Sequence, residues 1–440
     1  MTFASRLHPE RDVSFRDALF TGLAEDGGLF HPVGAPDLAE LLPRLPALES
    51  FRDVAAEVCA RMLGAELTEE RARGLARRAL PFGPVLRRLD EHVLLLELFH
   101  GPTCAFKDFG AQFLAAAMEE LLPPGSARIQ ILVATSGDTG SAVAQAFHGR
   151  ANIDVVILCP SGRVSDLQEK QLTTLGGNVH ALEVRGAFDD CQRLVKEAFQ
   201  DPTLRARLRL TSANSINIGR LLPQCLYYIF AATRRAELGR GAPEFCVPSG
   251  NFGNLTAGVY AWRWGLAVNG FIAATNVNDV VPVYLRSGRF DPRPSAHTLS
   301  NAMDVGNPSN FERLLAVFQG EWEGMAMMIE GRAVTDERTL DTMRRVHAEH
   351  RVLLDPHTAV GCAAAADHIE AMTQVGAEPG PIVVLSTAHP AKFSDIVRTA
   401  TGVEPEMPER LASCLPRPKQ SRLIGTTLAE LSEYLLESFA

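Results

Sequence analysis

Between residues 128 and 200 the chain alternates short apolar runs with amphipathic stretches, and this alternation most constrains what it can fold into. Arg128 to Thr135, Ile153 to Cys159 and Val179 to Val184 read as strands. Between and after them, Ser141 to His148, Ser165 to Leu175 (stopped by Gly176-Gly177) and Ala187 to Gln200 read as helices. A βαβα order implies a parallel sheet with helices on both faces. Functional turns then belong at the carboxyl ends of the strands.

A second set follows. The spacing predicts one long helix over Gly219 to Leu238, a strand over Glu244 to Val247, a helix over Leu255 to Trp264 and a strand over Gly270 to Asn276. Residues 285–311, rich in Ser, Pro, Asn and Arg, predict a long loop ahead of a helix over Phe311 to Phe318. Helices are expected over Thr335 to His350, Ala359 to Met372 and Thr427 to Leu436, with a strand over Ile382 to Leu385. Residues 1–90 read as mainly helical, with a turn at Asp26-Gly27-Gly28. The expected fold class is α/β, with two open twisted sheets flanked by helices. The division expected is 1–90 as a helical N-terminal region, 91–127 with 213–440 as a large α/β domain, and 128–212 as a smaller α/β domain.

Composition narrows the function. Across 440 residues a net charge of −9, with no Lys/Arg run interleaved with aromatics, argues against a nucleic-acid surface. No apolar run is long enough to span a membrane, and the first residues lack the apolar core of a secretory signal. Eight scattered cysteines form no C-x-x-C pair, so neither a zinc ribbon nor a redox couple is indicated and a reducing cytoplasm is the expected compartment. His347 and His350 lie on a polar helix without a carboxylate set, so no metal site is expected.

Three polar turns after predicted strands carry the chemistry. In His100 to Gly110 an apolar strand, Val93 to Leu98, is broken by His100-Gly101-Pro102, and a helix is expected from Asp108 to Leu122. Lys107 falls at that junction between Phe106 and Phe109, where the positive end of a helix disfavours another ammonium. Taken alone, a lysine beside a helix start is more often a solvated surface residue. Cys104 is a weaker candidate nucleophile. Pro248 to Asn254 has glycines and a following helix suited to a phosphate, yet matches neither a Walker loop nor G-x-G-x-x-G; an ordinary turn is the alternative. Ser136 to Gly140 offers donors for a substrate carboxylate, with helix capping as the alternative. Ser386-Thr387 ends the last predicted strand of this set, where a neutral hydroxyl can meet a ring nitrogen. An amine, a phosphate cradle without a nucleotide motif and a neutral hydroxyl together suggest pyridoxal phosphate, its ring nitrogen facing Thr387 or Ser386.

With these motifs in hand the chain resembles the threonine synthase family, of the longer bacterial and fungal type. HGPTCAFKDFGAQF, TSGDTGSAVAQAF, SANSINIGRLLPQ, PSGNFGNLTAG, TLSNAMDVGNPSN, LDPHTAVG and STAHPAKF resemble family segments in the family's order, as does SFRDALFTGLAEDGGLFHP near the start. The resemblance runs from about residue 13 to residue 400. It implies the fold-type-II, tryptophan synthase β-like architecture of pyridoxal-phosphate enzymes, with the active site between two α/β domains. It implies Lys107 as the Schiff-base lysine and proton shuttle. Ser249, Gly250, Asn251, Phe252, Gly253 and Asn254 would hold the cofactor phosphate, and Thr387 would face the ring nitrogen. Asp138 stands where many fold-type-II relatives carry Asn near the ring hydroxyl, so its carboxylate must be protonated or bonded elsewhere. Cys104 replaces a more usual aliphatic residue, compatible with packing.

The implied reaction is O-phospho-L-homoserine plus water to L-threonine plus phosphate, by γ-elimination and β-addition, the last step of threonine biosynthesis. Ser136, Thr139, Arg163, Lys170, Asn214, Asn217, Arg220 and Lys392 are the candidate substrate contacts. Alternatives are a phospho-lyase that stops at 2-oxobutyrate, a hydroxy-amino-acid dehydratase, and a non-catalytic relative of the fold. A small-molecule substrate, no nucleic acid and no membrane are expected. A monomer is expected, with a dimer as the alternative.

Overall fold

The computed structural model describes the chain from Met1 to Ala440 apart from Ser136, Arg240 and the side chain of Arg235. Its strands in chain order are β1 (Thr2–Ser5), β2 (Phe30–Val33), β3 (Val85–Arg88), β4 (Val93–Glu97), β5 (Ile129–Ala134), β6 (Ile153–Pro160), β7 (Val179–Val184), β8 (Arg209–Ser212), β9 (Glu244–Pro248), β10 (Gly270–Thr275), β11 (Ile329–Ala333), β12 (Ile382–Ser386) and β13 (Ser421–Ile424). They form three sheets: a β1–β2 ribbon, a six-stranded sheet ordered β11-β10-β9-β12-β4-β3 and a five-stranded sheet ordered β13-β7-β6-β5-β8. Within the two larger sheets all pairs are parallel except β3 with β4. Central strands such as β6 are buried on both faces, which accounts for their unbroken apolar sequence.

Parallel pairing decides where the informative turns go. Strands β4, β9 and β12 are neighbours in register, with Leu95, Cys246 and Val384 side by side. The segment bearing Lys107, the turn after Pro248 and the turn after Ser386 therefore leave the same edge. The helix Pro356–Gln374 covers one face of this sheet. Its Gly361 lies so close that a Cβ there would sit 2.8 Å from Val384 and 3.1 Å from Pro248. The other face meets an apolar cluster containing Phe109, Phe113, Tyr227, Tyr228 and Phe245, which is continuous with the N-terminal helices.

Several expectations need correction. Residues 1–90 are not all helical, since β1 and β2 pair and β3 joins the six-stranded sheet. The helix predicted over Gly219 to Leu238 is split into Ile218–Leu221, a 3₁₀ turn Leu222–Gln224, Cys225–Thr233 and Arg235–Leu238. Pro223 sits in the 3₁₀ turn, and a residue without an N–H cannot continue the α-helical ladder there. The loop expected over 285–311 is entered by a helix, Val280–Ser287. The strand β13 pairs with β7, and the helix Leu428–Phe439 packs over the same sheet. The end of the chain thus joins the sheet built from 128–212, whereas the sequence assigns 213–440 throughout to the other.

Candidate active site

The helix carrying Lys107 starts on that residue and runs to Leu121. Phe106 gives it no side-chain cap, and a tight turn takes its place, with the Asp108 N–H donating to Ala105 O and the Phe109 N–H to Phe106 O, each at 3.1 Å. The segment before it is tied to the end of β12: Leu98 N–H donates to Ser386 O at 2.9 Å and Phe106 N–H to Thr387 O at 2.8 Å. This brings Lys107 beside Thr387. Asp108, fully buried, accepts from the Thr103 N–H at 2.8 Å and the Thr103 hydroxyl at 2.7 Å, fixing the loop that enters the helix.

Lys107 leaves only 17% of its side chain exposed, and its Nζ lies 4.9 Å from the Phe106 ring centre. Asp138 Oδ2 is 3.7 Å from that Nζ. The other oxygen of Asp138 is already occupied: Lys392 Nζ lies 2.7 Å from Oδ1, and Gln168 donates to it at 3.0 Å. Lys392 is itself fully buried and also donates to Thr103 O at 2.9 Å. Two ammonium groups therefore share one carboxylate in a place water hardly reaches. Burial lowers the Lys107 pKa, and the charges of Lys392 and Arg220 push the same way against the attraction of Asp138. Burial would raise the Asp138 pKa, but Lys392 and then Lys107 outweigh it and hold the carboxyl well below its usual range. Asp138 is thus bonded elsewhere rather than protonated, and burial shifts Lys107 toward its neutral form.

The turn after β9 is an anion cradle of backbone. Phe252 takes left-handed φ of 59°, and the helix Gly253–Arg263 begins immediately after it. Among the described residues the N–H groups of Gly250, Asn251, Phe252, Gly253 and Asn254 find no protein acceptor. The side chains of the turn are used for holding it in place. Asn251 bridges Ser215 Oγ at 2.7 Å and the Ser309 N–H at 2.6 Å. Asn254 Oδ1 accepts from the Tyr227 hydroxyl at 2.6 Å and the Tyr228 hydroxyl at 2.8 Å. Ser249 is a strand end, its N–H given to Ala274 O at 2.8 Å and its hydroxyl to Val247 O at 2.9 Å. At Gly250 a Cβ would lie 2.7 Å from Ala302 O and 2.8 Å from Met303 Cα. Only glycine lets the 300–303 segment close over the turn.

At the end of β12 the hydroxyls of Ser386 and Thr358 lie 3.1 Å apart. The Thr387 hydroxyl has no partner among the described residues, although the residue is nearly buried.

The proposed substrate contacts divide. Ser136 lies outside the described residues. Thr139 and Asn214 are half-buried, and Asn214 Oδ1 lacks a partner. Asn217 is spent on structure: it caps the next helix and donates to Leu19 O and Ser212 O, each at 2.9 Å. Lys170 donates to Arg417 O at 2.8 Å, and Arg163 is exposed. Lys392 is not free for an anion, because Asp138 holds it. Arg220 is buried, donates one Nη to Ala213 O at 2.8 Å and keeps Nε unpartnered. Burial pulls its pKa down to about 10, which leaves it charged at neutral pH. Cys104 is buried, and burial pushes its thiol up to about 11, so it packs against Ala391 and Leu411 rather than acting as a nucleophile. Gln168 belongs to the site without any local sequence signal, since it acts through Asp138, thirty residues away in the chain.

Comparison with known proteins agrees with this arrangement. A family model described as pyridoxal-phosphate dependent enzyme matches residues 81–388. Models described as threonine synthase N terminus and threonine synthase, C-terminal match residues 2–80 and 358–435. The threonine synthase of Haemophilus influenzae is 42% identical over 98% of both chains. A crystal structure of threonine synthase from Escherichia coli covers 100% of both chains at 39% identity and a TM-score of 0.90. The pyridoxal-phosphate-bound threonine synthase of Brucella melitensis aligns at 38% identity and a TM-score of 0.91, covering 100% of this chain and 99% of that one. The chain belongs to the threonine synthase family of pyridoxal-phosphate-dependent enzymes, with the fold-type-II architecture of that group.

Proposed function

We propose that this protein converts O-phospho-L-homoserine and water into L-threonine and phosphate, with Lys107 as the Schiff-base lysine and working amine. The observation that carries this is a buried lysine held between a shared carboxylate and a hydroxyl-bearing strand end, on the same sheet edge as a turn of unsatisfied amides. These residues fit pyridoxal phosphate. Five backbone N–H groups at a helix start suit its phosphate, Lys107 suits its aldehyde, and the free hydroxyl of Thr387 suits its ring nitrogen.

When bound, the cofactor supplies the electron sink that makes protons on neighbouring substrate carbons removable. The protein's own part is placement and proton transfer. Burial keeps Lys107 poised to be a neutral base. Standing at a helix start, it can take a proton from Cα and then from the adjacent Cβ, and one amine in one position serves both. Gln168 and Lys392 hold Asp138 still, so the field at Lys107 is fixed before substrate arrives. Arg220 has a donor to spare near this amine and is the cation we assign to the substrate's phosphate. All eight cysteines are buried and unpaired, which suits the cytoplasm we assign it to.

The test is an assay of purified protein with cofactor and O-phospho-L-homoserine that measures phosphate, threonine and 2-oxobutyrate together. Phosphate and threonine in equal amounts are expected, with Lys107→Ala producing neither. Phosphate matched by 2-oxobutyrate would move the protein to a phospho-lyase.

A further inference from the structure

Asp355 is completely buried and touches no lysine or arginine among the described residues. It precedes Pro356 and caps the helix Pro356–Gln374, accepting the N–H of His357 at 2.9 Å and of Thr358 at 3.4 Å. Capping explains those two bonds. It does not explain two others, from the His357 ring and from the Thr358 hydroxyl.

Each of these extra bonds leads to one end of the cofactor site. Thr358 has a single hydroxyl proton, and the carboxylate takes it. Thr358 Oγ1 can then only accept, so the bond to Ser386 3.1 Å away must be donated by Ser386. The N–H of Thr387 points at the same oxygen at 3.3 Å. Ser386 is left with lone pairs alone, while the hydroxyl of Thr387 keeps both its proton and its lone pairs. Of the two hydroxyls at the strand end, only Thr387 can donate to a ring nitrogen. On the other side His357 Nδ1 lies 2.9 Å from Asp355 Oδ1, and Nε2 accepts the Ala302 N–H at 3.2 Å. The donor at Ala302 requires a bare Nε2, so the proton sits on Nδ1 and faces the carboxylate. Ala302 is the residue whose carbonyl closes over Gly250 in the phosphate turn.

We infer that Asp355 is a positioning residue: through Thr358 it sets the direction of the hydroxyl bond to Ser386, leaving Thr387 the one hydroxyl at the strand end that can donate, and through His357 it seats the 300–303 segment over the phosphate turn. This rests on the reading of Thr387 as the partner of the cofactor ring. Asparagine caps helices about as well as aspartate, but its Nδ2 is a donor. Facing Thr358 it would turn that hydroxyl round and reverse every bond up to Ser386.

The experiment measures thermal stability, the dissociation constant of pyridoxal phosphate and the absorbance of the bound cofactor against pH. The variants are Asp355→Asn, Thr358→Val, Thr358→Ser and Thr387→Val in the full chain. Asp355→Asn is expected to fold yet bind cofactor at least tenfold more weakly, with a displaced absorbance titration. Thr358→Val, which leaves the cap intact, should displace the titration in the same way, and Thr358→Ser should restore it. Wild-type affinity and spectra in both Asp355→Asn and Thr358→Val would overturn the inference and leave a helix cap. If those two shift the spectrum while Thr387→Val does not, the relay stands and the assignment of Thr387 falls. If only Thr387→Val shifts it, the assignment stands and the relay falls.

Discussion

Replacing Lys392 with glutamine should make Lys107 a stronger base, not a weaker one. The two amines are linked through Asp138 by contacts of 3.7 and 2.7 Å, so their nitrogens are at most about 9 Å apart. At an effective dielectric of about 20 their repulsion is then at least about 2 kcal/mol. Removing it, and releasing Asp138 to face Lys107 alone, should raise the Lys107 pKa and, at a fixed pH below it, cut the neutral fraction by about tenfold or more. The assay is the rate at which apoprotein captures pyridoxal phosphate, trapped with borohydride and followed against pH, because only the neutral amine reacts. The midpoint should move up in Lys392→Gln and down in Asp138→Asn. A midpoint that stays put or falls in Lys392→Gln would refute the shared-carboxylate reasoning and return Lys392 to the candidates for binding substrate.

Gly250→Ala should lower cofactor affinity tenfold or more, since its Cβ meets backbone at Ala302 and Met303 and overpacking of this kind costs about 1–3 kcal/mol; equilibrium titration with pyridoxal phosphate checks it. Arg220→Met should raise KM for O-phospho-L-homoserine far more than it lowers cofactor affinity, read by comparing the two titrations. His368 lies between Glu244 at 2.9 Å and Glu330 at 2.5 Å, and these bonds, Glu244 first, raise its pKa from 6.5 to about 9. Its contribution is complete below the unfolded value and is lost as pH rises through the folded one. The unfolding free energy should therefore fall between pH 6.5 and 9, by about 1–2 kcal/mol after allowing for screening, and His368→Leu should flatten the slope.

The parts of the fold legible in the sequence share a physical cause. The seven strands inside the two large sheets, β4, β5, β6, β7, β9, β10 and β12, are covered on both faces and read as apolar runs. The six that escape notice are the sheet edges β3, β8, β11 and β13 and the β1–β2 ribbon. Strands such as Val85–Arg88 and Ser421–Ile424 are short and largely exposed, so their sequences resemble loops. The site divides in the same way. Lys107 and the Pro248 to Asn254 turn are local patterns of residue and spacing. The pairing of Asp138 with Lys392 and of Asp355 with Thr358 and Ser386 depends on which turns the sheets bring together. No local window shows that Lys392 is buried.

The placement of β13 also bears on how the molecule is made. Its partner β7 belongs to a sheet whose other strands, β5 to β8, are all made before β9, yet β13 follows every strand of the six-stranded sheet in the chain. Until then β7 presents a bare edge of amide and carbonyl groups, the kind of surface on which nascent chains pair with one another. The five-stranded sheet can therefore complete itself only after every strand of the six-stranded sheet has been made. During elongation the growing chain carries a sheet of four strands that still lacks its fifth.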